Sequence, residues 1–268
     1  MLKTRIITAV TLIPLVLLAI FKLPLAAFLL LTGMVVGVGA WEWSGFMNWR
    51  SLRLRSFYVV MVLWLTLGVS AISAYYSLAV GCIAWLFAAY CVWKYQKYKH
   101  SPTEKLWVNA MAGILVLTPC WESFAILKAR NNGGLLILLL FVFVWAADTS
   151  AYFVGKRFGR HQLISNVSPG KTVEGLCGAL VTNFILSLGI AWACQLPARY
   201  WFFWVVLVMG TTIFAVLGDL FESMMKRLVG LKDSGKLLPG HGGLLDRIDS
   251  LTAAAPLFTL GIIWLGVA

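Results

Sequence analysis

Charge is what this chain has least of. Asp, Glu, Lys and Arg make up 12% of its 268 residues against 61% hydrophobic, roughly half the charged share of a soluble domain. That excludes an ordinary soluble fold and points to an integral membrane protein. Acids are the scarcest, 10 against 22 Lys and Arg, for a net charge of +12. Such a surplus would suit a nucleic-acid binder, but the bases lie in short stretches between apolar runs, where they orient helices in a bilayer. No nucleic-acid partner is expected.

Other absences narrow the reading further. Cys82, Cys91, Cys120, Cys177 and Cys194 sit inside apolar runs with no CxxC and no neighbouring histidine, which argues against a disulfide framework or a zinc site. No small-residue cleavage site follows the basic start, so the first apolar run reads as a membrane helix rather than a signal peptide. An internal repeat, common in transporters, is not evident, and neither is the alternation of a membrane barrel.

What is present is a series of apolar runs at about residues 6–21, 23–40, 57–74, 76–92, 106–127, 135–154, 173–195, 201–220 and 251–267. Each is near the ~20 residues that a spanning helix needs. Backbone groups unpaired in lipid are too costly for any irregular alternative. The expected fold is an all-α integral membrane protein of about nine transmembrane helices with a polar, cytoplasmic-facing active-site cavity. About five helices fall in residues 1–130, and a catalytic region spans 131–268 with loops 155–172 and 227–250. With nine spans, Lys22, Lys128, Arg130 and Arg199 lie on one side and the rest of the 22 bases on the other. That asymmetry predicts a cytoplasmic N-terminus and cytoplasmic chemistry-bearing loops.

Five of the 10 acids, Asp219, Glu222, Asp233, Asp246 and Asp249, crowd into one stretch with Lys226, Arg227, Lys232, Lys236, Arg247 and several glycines. Carboxylates close to cations beside flexible backbone suit a metal-bound polyphosphate. On a helix Asp219, Glu222, Ser223 and Lys226 share one face. That face would hold a divalent cation, with Lys226 and Arg227 placed for phosphate, or it would be an intramembrane salt bridge for packing. Asp246 and Asp249 stand three residues apart. His241, between Gly240 and Gly242-Gly243, contacts ligand or positions the loop rather than acting as a base.

Two further features stand apart from that stretch. Asp148 lies within an apolar run, facing a cavity or snorkelling to the interface. The segment from Ser168 to Gly175 invites comparison with a phosphate-binding loop, but Ser165 stands where that motif needs glycine, and no strand is expected before it. The expectation is a helix start capped by Ser168, whose first turn and Lys171 meet phosphate.

Together Ser223, Met225, Lys226, Arg227, Lys232, Asp233, Gly235, Leu238, Pro239, His241, Gly242, Gly243, Asp246, Arg247, Ile248 and Asp249 resemble the signature of the bacterial phosphatidate cytidylyltransferases, the CDP-diacylglycerol synthases. The segments at residues 168–172, 147–159 and 40–46 are similar to bacterial members too. The resemblance implies the reaction CTP + phosphatidic acid → CDP-diacylglycerol + pyrophosphate, dependent on Mg²⁺ with a second cation allowed for. It places the enzyme in the cytoplasmic (inner) membrane, and a homodimer is compatible with it. Asp219 and Asp246 would bind Mg²⁺ with Asp249 and Glu222 nearby, and the catalytic set would be Asp219, Asp246, Lys226 and Lys171. Substrate contacts would come from Ser168, Lys171, Thr172, Ser223, Lys226, Arg227, Lys232, Asp233, His241, Gly242, Gly243 and Arg247. Asp148 and Glu174 would line the cavity wall. A CTP-using lipid kinase, which leaves CDP, and a transporter remain as competing readings.

Overall fold

The computed structural model describes residues 2–237, 240 and 242–266. Among them the chain is a bundle of long helices: α1 (Leu2–Lys22), α2 (Leu25–Trp43), α3 (Leu52–Ile72), α4 (Ala74–Tyr98), α5 (Leu106–Ala129), α6 (Gly133–Phe158), α7 (Val173–Ala193), α8 (Ala198–Leu228) and α9 (Leu245–Leu265). Seven of these, α2 and α4 to α9, are long and apolar enough to cross a membrane. In α1 the apolar stretch described is the shorter Val10–Lys22. The protein is a multi-pass membrane protein, and wide exposure of large apolar side chains such as Trp64, Ile83, Trp192 and Phe202 is what helices facing lipid require.

Short connections set the helices side by side. Pro24 precedes α2 and Pro197 precedes α8, at positions where a missing N–H costs nothing. A reciprocal cap, with Ser101 accepting from Thr103 and Glu104 accepting from the Ser101 N–H, turns the chain into α5.

Lipid offers no hydrophobic drive for helix association, so close packing and polar bonds hold the bundle. Trp43 Nε1 donates to Asn109 Oδ1 at 3.0 Å, and Asn109 Nδ2 donates to the Phe46 carbonyl at 2.9 Å. Asn183 Nδ2 bonds both the Phe143 carbonyl and Thr212 Oγ1, tying α7 to α6 and α8.

The closest approach that matters for the site is between α8 and α9. A Cβ at Gly218 would overlap the carbonyl of Asp249 and lie 3.1 Å from Ala253 Cβ. Gly218→Ala should therefore force the two helices apart and cost about 1–3 kcal/mol of stability. A fall in the unfolding midpoint in detergent, together with reduced activity from the displaced neighbour Asp219, checks this. An unchanged midpoint would mean that the crossing relaxes freely.

Two departures from the sequence expectation bear on the site. Residues 168–172 form a strand, not a helix start, pairing antiparallel with 162–164 as β1 (Gln162–Ile164) and β2 (Ser168–Thr172). The cap of α7 is Thr172, whose hydroxyl accepts from the Gly175 N–H, so Ser168 does not cap it. Secondly, α8 runs on to Leu228 and α9 begins at Leu245, so most of the acids assigned to a loop sit on helices.

Candidate active site

The polar end of α8 meets the start of α9, and their ionised side chains interlock. Lys226 Nζ lies 2.6 Å from Asp246 Oδ1 and 3.3 Å from Glu222 Oε1. All three are nearly sealed from solvent, at 12%, 7% and 5% side-chain exposure. Glu222 Oε1 makes no hydrogen bond, so its contact with the ammonium is a Coulomb attraction without hydrogen-bond alignment. One turn earlier Asp219 accepts from Ser223 Oγ at 3.2 Å and pairs with Lys171 Nζ at 2.6 Å. This second pair is more open, at 26% and 30% exposure. Lys171 belongs to β2, so the hairpin reaches over to the α8 end.

Asp249, one turn into α9 beyond Asp246, accepts from the Ser250 N–H at 2.8 Å and lies in electrostatic reach of Asp219, Lys226 and Lys171. Asp148 on α6 interacts electrostatically with Asp219 and Lys171. The structure thus gathers Asp148, Lys171, Asp219, Glu222, Ser223, Lys226, Asp246 and Asp249 in one place. Residues from four elements, spread over a hundred positions, form one alternating field of anions and cations.

Asp246 is committed differently from Asp219. Its Oδ2 accepts from the N–H groups of Ser234 and Gly243 and from Ser234 Oγ, all within 3.0 Å, while Oδ1 holds Lys226. It ties Ser234 and Gly243 of the connection between α8 and α9 to the start of α9. Gly242 turns that loop at φ +83°, where a side chain would strain the backbone, and a Cβ there would press on Asp246 and Asp233.

Several residues predicted to meet substrate have other partners. Arg227 Nε donates to the Val167 carbonyl at 3.4 Å, pinning the hairpin turn. Thr172 caps α7. Glu174 accepts from the N–H groups of Arg160 and His161 and from His161 Nδ1, closing the connection after α6. Lys232 and Asp233 are exposed on the loop, and Arg247 is exposed at the start of α9. His241, Leu238 and Pro239 lie outside the described residues.

Two buried acids were missed from the sequence, Glu42 and, on α5, Glu122. Glu42, at the end of α2, is 4% exposed and accepts from the N–H groups of Leu244 at 3.0 Å and Leu245 at 2.8 Å and from Ser234 Oγ at 3.0 Å. The sequence offers only a weak signal for Glu42, a lone carboxylate just past the apolar run at 23–40.

Beside the acids a groove of about 740 Å³ runs between α1, α2, α5, α6 and α9. Its walls are apolar, among them Leu15, Phe28, Ile137 and Phe141, and Asp148, Thr149 and Arg247 also line it. Of the gathered acids only Asp148 lines this groove, and it stands in electrostatic reach of Lys171 and Asp219.

Cations are thus paired with carboxylates at a helix end near an apolar groove. The sequence pattern of the cytidylyltransferase family matches residues 3–264. The chain belongs to that family. It is 38% identical to the phosphatidate cytidylyltransferase of Pseudomonas aeruginosa over 271 aligned positions, covering 98% of this chain and 97% of the relative. The phosphatidate cytidylyltransferase of Haemophilus influenzae is 35% identical over 281 positions, with 97% and 98% covered. That of Staphylococcus aureus is 41% identical over 140 positions, about half of each chain. Membership of the cytidylyltransferase family makes this a nucleotidyltransferase.

Among the described residues no three acids, histidines or cysteines stand grouped as a ready-made metal cage. Magnesium needs none, since it takes one or two carboxylates and completes its shell with water and phosphate oxygens. The donors here are all oxygens. Asp219 and Asp249, in electrostatic contact across the α8–α9 crossing, fit that requirement.

Proposed function

We propose that the protein transfers the cytidylyl group of CTP to phosphatidic acid, giving CDP-diacylglycerol and pyrophosphate, at the cytoplasmic face of the inner membrane. What supports the reading is an apolar groove that bears Asp148 and Arg247 on its wall, with Asp148 in electrostatic reach of the Lys171–Asp219 pair. Acyl chains lie in the groove, and the phosphate reaches the cluster past Arg247.

In this reaction an oxygen of the lipid phosphate attacks the α-phosphorus of CTP. A new P–O bond forms, the bond from the α-phosphorus to the bridging oxygen breaks, and pyrophosphate leaves with the electron pair. The attacking phosphate is already ionised at neutral pH, so no strong base is needed, and none of the site's side chains is assigned one. Catalysis rests on placing two anions together and neutralising the charge that builds up. Lys171 is half-exposed on its carboxylate and exchanges it for a phosphate oxygen when substrate arrives. Lys226, held between Glu222 and Asp246, is a fixed positive charge. A magnesium ion held by Asp219 and Asp249 would polarise the phosphates and orient the leaving group.

The test is release of pyrophosphate from CTP by the purified protein in detergent, with phosphatidic acid and Mg²⁺ supplied together and singly. Pyrophosphate appearing only with both, alongside a CDP-lipid, is expected. CDP in its place would make the protein a lipid kinase and overturn the proposal.

A further inference from the structure

The first turn of α9 carries Asp246, yet the helix has no side-chain cap of its own: its N-cap residue is Leu244. The two N–H groups left over there, of Leu244 and Leu245, are taken up by Glu42, which lies some 200 positions earlier in the chain. A carboxylate in this place satisfies orphan donors and complements the positive end of the helix. Arg55 stands in electrostatic reach of the same acid, with its guanidinium bonded to Ser44 Oγ and the Trp41 carbonyl.

Glu42 also connects to the reacting centre. Ser234 Oγ lies 3.0 Å from Glu42 Oε2 and 3.0 Å from Asp246 Oδ2, so one hydroxyl spans the two carboxylates and its single proton serves them in turn. Around this bridge the loop has no room for side chains. A Cβ at Gly235 would overlap Glu42 Oε1, and one at Gly243 would overlap Ser234 Oγ and press on Glu42 Oε2. Both glycines let backbone close over a buried acid. The loop so held is the one that presents Lys232 and Asp233, and Asp246 in turn places Lys226.

We infer that Glu42 is a positioning residue for nucleotidyl transfer: it caps α9 and, through Ser234, fixes Asp246 together with Ser234 and Gly243 of the connection from α8. The inference deepens the proposed cytidylyl transfer and rests on it for its kinetic consequence. Glu42 touches no substrate. It acts by holding a charged pair to the geometry that transfer needs, where a displacement of about 1 Å costs about 10²-fold in rate.

Two variants test it. Glu42→Gln keeps the shape but turns an amide NH₂ towards one of the α9 N–H groups, and Ser234→Ala removes only the bridge. Pyrophosphate release should fall about 10²-fold in Glu42→Gln and about 10-fold in Ser234→Ala, measured on protein that elutes as the folded species. Because the two share the Ser234–Glu42 bond, the double variant should lose less than the product of the two single losses. Amide hydrogen exchange across residues 230–246 should rise in Glu42→Gln while α4 to α6 keep their protection. A purely structural role predicts a lower unfolding midpoint with unchanged kcat and unchanged KM for CTP per folded molecule, and that result overturns the inference. So does unchanged exchange across the loop. If the wild type itself released no pyrophosphate, the proposed reaction would fall, while the exchange data would still decide whether Glu42 holds the loop.

Discussion

Asp219→Asn is expected to lower pyrophosphate release by about 10³-fold while leaving the protein folded. The carboxylate is the partner of Lys171 at 2.6 Å and sits 30% exposed where α8 faces Asp249. An amide is nearly the same size, and its oxygen still accepts from Ser223, so packing has little reason to change. What disappears is the negative charge that pairs with Lys171 and, under the proposed mechanism, would help hold magnesium. Initial rates across a Mg²⁺ titration measure this. Normal turnover at ordinary magnesium would remove Asp219 from the metal-facing pair. Asp246→Asn makes the contrast, because Asp246 Oδ1 holds Lys226 and Oδ2 holds Ser234 and Gly243. That variant should lose stability together with turnover, since several buried donors lose a charged acceptor at once.

The sequence revealed the helices and most of the cluster for the same reason: each contrasts sharply with what surrounds it. Apolar runs near the length of a bilayer can only be helices, and acids that are rare elsewhere but dense between residues 219 and 249 must serve one another. Hydropathy was misleading about where helices stop. The eighth run was ended at residue 220, but α8 continues to Leu228 because Glu222, Lys226 and Asp246 satisfy each other's charge and so allow polar residues to extend a helix. The hairpin at 162–172 escaped because strands of three and five residues leave almost no periodic signal. Glu42 escaped for a different reason. Its partners lie some 200 positions downstream and are mostly backbone N–H groups, which no side-chain pattern announces.

Lys226→Met should be the most damaging single change. It leaves Glu222 and Asp246, 5% and 7% exposed, facing each other with no cation between them. Removing one partner of a buried ionic group typically costs about 3–5 kcal/mol, so a marked drop in the unfolding midpoint and loss of pyrophosphate release are both expected. The two losses have different origins, and a second substitution separates them. Adding Glu222→Gln removes one of the unmatched charges, and with it part of the destabilisation, because Glu222 Oε1 had no hydrogen bond to lose. Turnover should stay lost, because the ammonium that neutralises the phosphates is still missing. Stability is read from thermal unfolding in detergent and chemistry from pyrophosphate release per folded molecule. If the double variant regained both, Lys226 would be a packing cation only, and the charge stabilisation of the transferred group would fall to Lys171.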